Sequence, residues 1–401
     1  IYYKNYRRSF ILQIKDKFED KSRQKIGIIG GGQLGKMMIL EAKKMGFYTA
    51  ILDPTKECPA DSIADKHLVA AFDDEDAIRE LAEISDLLTY EFEHIGVKVL
   101  KELEDEGHKI YPTARSLEVI QNKYHQKNML AQNKIPVPDF TNVSSLNDIK
   151  EAGENFSYPI MLKSCKGGYD GKGNALIKNE SELKAAYQSL GGGKNQLMVE
   201  EYIPFKKEIS VLACRGIDGK KTVFPVGENE HRDNILYETK VPADISLEVE
   251  EKADQLAEDV LDIFSGVGMF CIEMFVTEDD RLYINEIAPR PHNSGHYTIE
   301  GCVTSQFEQH IRAITGLPQG DTSLLRPSVM RNLLGSGKEG EAAVVGLDLA
   351  LEIKGVKAHI YNKKISRPGR KMGHLTVTAE TLAVAAEKAE KAAELLKIEG
   401  R

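Results

Sequence analysis

The stretch Pro159 to Asn174, PIMLKSCKGGYDGKGN, sets Gly167, Gly168, Gly171 and Gly173 between two apolar segments. Bare glycine N–H groups in such a loop can close over phosphate oxygens. Lys163, on the segment feeding the loop, can reach the same oxygens as a point charge. The alternative is an ordinary hairpin needing positive φ values; Lys163, Lys166 and Lys172 beside the glycines favour phosphate. A second concentration of chemistry is CIEMFVTEDDRLYINEIAPRPHNSGH, Cys271 to His296. Glu273 and Glu286 fall on two strands joined by an acidic turn, with Asn285 adjacent. Cross-strand neighbours on one face bring such oxygens together, and hard oxygen donors suit Mg²⁺ held jointly with nucleotide phosphates. Two acids on a hairpin alone would read as a solvated pair. The sequel changes that reading, because two prolines stiffen a loop offering Arg290, His292, Asn293 and Ser294 as anion-binding donors.

Two further stretches invite anions. IGIIGGGQLGKMMILEAKKMGFYTAILDP, Ile26 to Pro54, carries the G-x-G-x-x-G spacing at Gly30, Gly32 and Gly35 after an apolar strand, and Asp53 closes a second strand. This is the dinucleotide fingerprint, but a helix N-terminus is a generic anion site and does not specify which phosphate it takes. In YNKKISRPGRKMGH, Lys363 and Arg370 flank a Pro-Gly turn that can fold both cations onto one anion; a solvated basic loop is the alternative.

The elements around these stretches divide the chain. From Ile26 to about Tyr111 strands and helices alternate as a parallel doubly wound α/β unit. A helix over Ala114 to Asn133 ends at the proline-containing turn IPVPDF. An α+β middle region of short strands follows, with a long amphipathic helix over Ser246 to Phe264, and then strands SVMRNLL, AHIYNKK and HLTVT and an Ala/Glu/Lys-rich helix. The fold class is thus α/β and α+β, with expected divisions at 1–25 (an extension without an assigned role), 26–122, 123–319 and 320–401. Residues 398–401, IEGR, match a processing-protease tetrapeptide and are read as a cloning remnant.

Composition narrows the function classes. The chain has 401 residues, 41% apolar and 29% charged, with a net charge of −9. That balance gives no electrostatic footprint for nucleic acid, and no apolar run approaches a membrane span. Five scattered cysteines without a C-x-x-C pair fit buried thiols in a reducing cytoplasm.

Together, the glycine-rich hairpin after a lysine strand, VEEYI followed by Glu208, and paired carboxylates ending in Asn-Glu resemble the ATP-grasp superfamily. Within it, GGGQLGKMM, KGGYDGKG, NEIAPRPHNSGH and SRPGRKMGH resemble the N5-carboxyaminoimidazole ribonucleotide synthetases of purine biosynthesis (the PurK type). The resemblance implies an ATP-grasp fold with an N-terminal Rossmann-like (pre-ATP-grasp) domain and a small C-terminal α/β domain. It implies ATP as co-substrate, Mg²⁺ (or Mn²⁺) at Glu273 and Glu286, bicarbonate and aminoimidazole ribonucleotide as substrates, and a cytoplasmic homodimer. Its ATP contacts fall on Lys123, Lys163, Gly168, Tyr169, Asp170, Gly171, Lys172, Gly173, Asn174, Glu200, Glu201, Tyr202, Ile203, Glu208, His231, Asn285 and Glu286. Arg290, His292, Asn293 and Ser294 would hold bicarbonate or carboxyphosphate, and Tyr169 and Asp170 would approach the amine. Gly31, Gly32, Gln33, Leu34, Glu91, Lys363 and Arg370 would hold the ribonucleotide, Glu91 at its ribose. Three rivals remain: a formate-using glycinamide ribonucleotide transformylase, an NAD-dependent dehydrogenase that would use only the first glycine motif, and a non-enzymatic nucleotide-binding regulator.

Overall fold

The computed structural model describes residues 24–168 and 173–401. The expectations for residues 1–23 and for Tyr169, Asp170, Gly171 and Lys172 lie outside the described residues.

In the first part, strands Lys66–Leu68, Tyr48–Leu52, Lys25–Ile29 and Leu87–Tyr90 form a parallel sheet in that spatial order. Their near-continuous apolar runs follow from burial on both faces. Ile26 and Ile28 pack with Met37, Met38 and Ile39 of helix Gln33–Lys44, while Ile29 and Leu88 pack with Ile78, Leu81, Val99 and Leu100 from helices Glu75–Glu83 and Val97–Asp105. Gly35 is needed for this packing. A Cβ there would lie 2.5 Å from the Gly30 carbonyl oxygen, so any side chain would push the helix off the strand.

The middle part holds two sheets. An antiparallel four-stranded sheet runs in the order Phe140–Val143, Leu197–Glu201, Ile160–Ser164, Asn174–Ile177. A second, antiparallel around Phe205–Arg215 and Gly268–Thr277, packs against the long helix Leu247–Phe264 through Val249, Ala253, Ala257 and Val260. That second sheet continues into the tail, where Ile235–Val241 pairs with Ser328–Gly337, which pairs with Lys371–Thr378. At this seam Arg331 Nε donates to Glu238 Oε2 at 2.8 Å, both side chains being buried.

One expected element differs, and others are new. The helix expected over Ala114 to Asn133 is two helices, Ala114–Ile120 and Lys123–Gln132. Asn122 breaks it, because its extended backbone and its side-chain oxygen, accepting from the amides of Tyr124 and His125, start a new N-terminus. Helices Val97–Asp105, Leu146–Phe156 and Gln306–Thr315 were not anticipated. Most of the IEGR segment lies in a strand. Lys397–Gly400 is a strand paired on one side with Gly335–Gly337 and on the other with Ala342–Val345, and Ile398 is buried.

One side chain ties the first part to the middle. His310 is fully buried on helix Gln306–Thr315; its Nε2 lies 2.8 Å from Thr89 Oγ1 on the first sheet, and its Nδ1 accepts from the Met269 amide at 3.0 Å. Burial pushes the imidazole from 6.5 down to about 3, so it stays neutral in the fold. The unfolded chain therefore takes up a proton that the native state refuses. The stability owed to this group is complete above pH 6.5 and is lost as pH falls toward about 3. In His310→Gln, urea denaturation should show a loss of about 1–3 kcal/mol at neutral pH from unpaired buried partners, and a shallower acid decline than the parent. An equally steep decline would remove His310 from the account.

Candidate functional site

A cleft of about 1400 Å³ opens where the three parts meet. Its wall takes Gln33, Leu34, Glu91 and Glu93 from the first part, and Lys123, Gly167, Gly168, Asn174, Glu208, His231, Glu273, Asn285, Glu286, Arg290, His292 and Asn293 from the middle. Lys363, Arg370 and Lys371 come from the tail.

The floor is a lattice of charge, buried at Lys127, Lys163 and Glu200 and half-buried at Lys123, Glu273 and Glu286. Glu273 and Glu286 stand directly opposite each other in the ladder between Gly268–Thr277 and Leu282–Ala288, so both carboxylates share one face. Lys123, at the first turn of the helix that Asn122 starts, donates to Glu286 at 2.8 Å. Lys163 lies 2.6 Å from Glu200 and 3.2 Å from Asn285 Oδ1. Lys127, one turn after Lys123, is also fully buried, 3.4 Å from Glu200 and donating to the Ile284 carbonyl at 2.8 Å. Burial lowers Lys127 to about 8 against the pull of Glu200. Burial also raises Glu286, but Lys123 outweighs it and holds Glu286 below the usual carboxylate range. Among the described residues Glu273 has no lysine or arginine partner. Burial first, then Glu286 and Glu208, push it up to about 7 although His231 opposes. Two facing carboxylates with an amide oxygen, one of them short of counter-charge, are a donor set suited to Mg²⁺. Against burial, Glu208 raises His231, whose Nδ1 lies 2.5 Å from the carboxylate.

The loop after Glu286 gathers polar groups at the cleft wall. Arg290 is clamped by Glu93, 2.8 Å away, and its Nε is buried without a partner among the described residues. Both polar atoms of the Asn293 amide are likewise buried and unpartnered, on the cleft wall. Unsatisfied buried donors at a cavity surface call for a ligand. His292 lies 3.8 Å from Glu273, and its Nδ1 meets Ser294 Oγ at 2.9 Å. Burial, then Arg290, hold this imidazole well below its ordinary range.

Opposite stand the first glycine loop and the tail. Here Glu91 lines the cleft, and its carboxylate also accepts from the amides of Gly32 and Gly35, each at 2.6 Å, and so caps the helix. Gly31 donates to Asp53 at 2.9 Å. Gly31 and Gly32 thus spend their amides inside the protein, and only Gln33 and Leu34 of the expected four line the cleft. Lys363 donates to the Lys371 carbonyl at 2.8 Å, and Arg370 to the Ile365 carbonyl, which folds both cations around the Pro368–Gly369 turn onto the cleft.

Other expected residues sit behind the wall. Lys163 is buried and reaches the cleft only through Asn285. Gly173 accepts from the Ser164 amide. Glu200 spends its carboxylate on the lysines, the Glu201 amide donates to Asp139, and neither they nor Tyr202 and Ile203 line the cleft. Ser294 is fully buried and holds His292 instead of facing an anion. Reading by motif missed Glu93, Lys127 and Gln306. Glu93 had a signal, since TYEFE offers two acids to one strand end; the other two had none.

Comparison with known proteins closes the assignment. Residues 23–121 match the ribonucleotide synthetase preATP-grasp domain, 128–307 the ATP-grasp domain, and 328–388 the phosphoribosylaminoimidazole carboxylase C-terminal domain. The chain is 45% identical over 352 residues to the N5-carboxyaminoimidazole ribonucleotide synthase of Bacillus subtilis, covering 88% of this chain and 90% of that one. The crystal structure of the Thermotoga maritima synthetase superposes with a TM-score of 0.87 at 47% identity, over 94% of this chain and 100% of that one. An Aspergillus clavatus synthase in complex with ADP and 5-aminoimidazole ribonucleotide gives 0.86 at 33% identity, over 93% and 99%. No helix among the described residues is long and apolar enough to cross a membrane. With relatives this similar along nearly its whole length, the chain belongs to the N5-carboxyaminoimidazole ribonucleotide synthase family of ATP-grasp ligases.

Proposed function

We propose that the chain carboxylates the exocyclic amine of 5-aminoimidazole ribonucleotide, using ATP and bicarbonate and releasing ADP and phosphate. The observation that carries this reading is one cleft lined at once by the Glu273–Glu286 pair, the Arg290–Asn293 anion loop and the Lys363–Arg370 grip. The proposed division of labour follows the segments. Residues 123–319 take ATP and bicarbonate, while 26–122 and 320–401 hold the ribonucleotide. The working form is proposed to be a cytoplasmic homodimer; the five cysteines are all free and buried, as a reducing compartment allows.

In this reading a bicarbonate oxygen attacks the γ-phosphorus and the bond to ADP breaks, giving carboxyphosphate. The amine nitrogen then attacks the carboxyl carbon, phosphate leaves and the amine gives up a proton. Phosphoryl transfer asks for positioning and charge neutralisation more than for covalent help. Glu273 and Glu286 would hold Mg²⁺ (or Mn²⁺), with Asn285 adjacent, and the ion supplies charge neutralisation at the phosphates. Lys123 can leave Glu286 for a phosphate oxygen, and Lys163 stands behind it through Asn285. Gly168 and Asn174 flank the loop that would cover the phosphates, and Glu208 with His231 would meet the nucleoside. Arg290 and Asn293 would bind the bicarbonate oxygens, with Glu93 fixing the guanidinium. Carboxyphosphate hydrolyses readily, so the site must exclude water.

ADP release with Mg²⁺-ATP should require bicarbonate and aminoimidazole ribonucleotide together; turnover with formate plus glycinamide ribonucleotide instead would overturn the substrate assignment. Lys363→Ala and Arg370→Ala should each raise KM for the ribonucleotide by about 10–100-fold through loss of a charge-assisted contact. KM for ATP should stay put, and an equal rise in both would place these cations elsewhere. Glu93→Gln should lower kcat more than it raises KM for ATP, read by steady-state kinetics.

A further inference from the structure

Two of the motifs end in histidines that the proposed chemistry does not use, NSGH at His296 and RKMGH at His374. They meet in the interior. The His374 ring lies between two others, with centroids 4.4 Å from His296 (planes at 29°) and 4.4 Å from His359 (planes at 12°). His359 stands opposite His374 in the ladder between Val356–Ile360 and Lys371–Thr378.

The stack joins two walls of the cleft, His359 and His374 coming from the tail and His296 from the middle part. His374 lies on the strand that begins at Lys371, just past the Lys363–Arg370 turn, and its Nδ1 is 2.9 Å from Tyr361 Oη. Tyr361 packs in one apolar cluster with Leu34 and Met37 of the first glycine helix. His296 sits in the turn Asn293–Tyr297 that follows His292. Gln306 grips that turn: its amide accepts from the His292 N–H at 2.9 Å, donates to the His292 carbonyl at 2.7 Å, and approaches His296 Nδ1 at 3.4 Å. A Cβ on Gly295 would lie 2.4 Å from the same Gln306 oxygen, so this turn has one seating.

The two fully buried rings of the stack, His296 and His374, are held uncharged. Burial, then His359, Lys371 and Arg290 around His296, and burial, then His296 and His359 around His374, keep both imidazoles well below their ordinary range. On the outer side of the stack, His359 Nε2 lies 2.7 Å from Glu300 Oε1.

We propose that His374, stacked between His296 and His359, is a positioning residue that sets the anion loop at Arg290–Asn293 against the Lys363–Arg370 grip and so couples ATP cleavage to carboxylation of the amine. The inference rests on the function proposed above. It explains why the stack joins these two walls and none of its rings lines the cleft. If the two grips drift apart, carboxyphosphate still forms but water takes it before the amine does, so ADP and phosphate appear without carboxylated product.

ADP and carboxylated ribonucleotide are to be measured in the same reaction for the parent, His374→Ala, His374→Phe and Tyr361→Phe, at saturating Mg²⁺-ATP and bicarbonate. His374→Ala should raise the ADP released per product about threefold or more, the range expected when a coupling contact is lost. It should also raise KM for the ribonucleotide while KM for ATP is unmoved, and His374→Phe, which keeps a stacked ring, should restore most of the coupling. A folded His374→Ala whose ratio matches the parent overturns the proposal, as does a loss in which both KM values and the ADP rate move together. Should His374→Ala not fold, Tyr361→Phe removes a single hydrogen bond and decides the matter by the same ratio. A parent enzyme that forms no carboxylated product would instead refute the underlying function.

Discussion

The site depends on the register of one hairpin. Gly268–Thr277 and Leu282–Ala288 pair so that Glu273 faces Glu286, and a slip of one residue would send one of the two carboxylates to the opposite face of the sheet. Everything charged around the cleft floor answers that placement. Two carboxylates forced together in a poorly solvated place need cations. The helix Lys123–Gln132 supplies Lys123 and Lys127 one turn apart, while Ile160–Ser164 supplies Lys163. Glu200 then balances the two lysines nearest it. Buried ion pairs of this kind add little net stability, since desolvation offsets most of their attraction. Their use here is preorganisation: the cations already stand where phosphate charge is expected, and no long side chain has to be ordered when a nucleotide arrives.

That floor alone would be an open groove. It becomes a cleft because the other parts are anchored to the same sheet by buried polar contacts. Arg331 and Glu238 lock the tail to the strand Ile235–Val241. His310 locks the first sheet to Gly268–Thr277 through Thr89 and the Met269 amide. Both contacts are directional, unlike apolar packing, so they fix angles as well as proximity. The grip at Lys363 and Arg370 and the helix start at Gln33 therefore face the anion loop from set positions.

Much of this was legible in the chain. Strand–glycine loop–helix at Lys25 to Lys44, the glycine-rich hairpin, and the paired acids with their donor loop carry local signals that survive any tertiary context, and the parts they imply are those seen. What failed had no local signal. Gln306, Gln309 and His310 are polar residues buried on one helix beside its apolar stripe of Phe307, Ile311 and Ile314, and nothing in their types marks them as interior. Lys127 reads as a surface lysine until the helix start at Asn122 aims it inward. Lys397–Gly400 buries Ile398 only because a two-sided strand gap waits for it. Such placements belong to the assembled fold and not to any one segment.

The most instructive case is the first glycine motif, whose spacing promised a dinucleotide. Spacing reports backbone shape, and the shape is there. What it cannot report is which acceptor the amides already have. Gly31 donates to Asp53, and Gly32 and Gly35 donate to Glu91, so two carboxylates occupy the ground a pyrophosphate would need. A second anion there would have to displace Glu91 against two short hydrogen bonds and face Asp53 behind it. The helix dipole that makes such a site attractive is already answered from within the protein. Glu91 is raised above its ordinary range by burial, while the two amides and the approach of Lys363 from the tail pull it back down. A phosphate gripped by Lys363 and Arg370 would sit against Gln33 and Leu34, beside the capped glycines and not upon them.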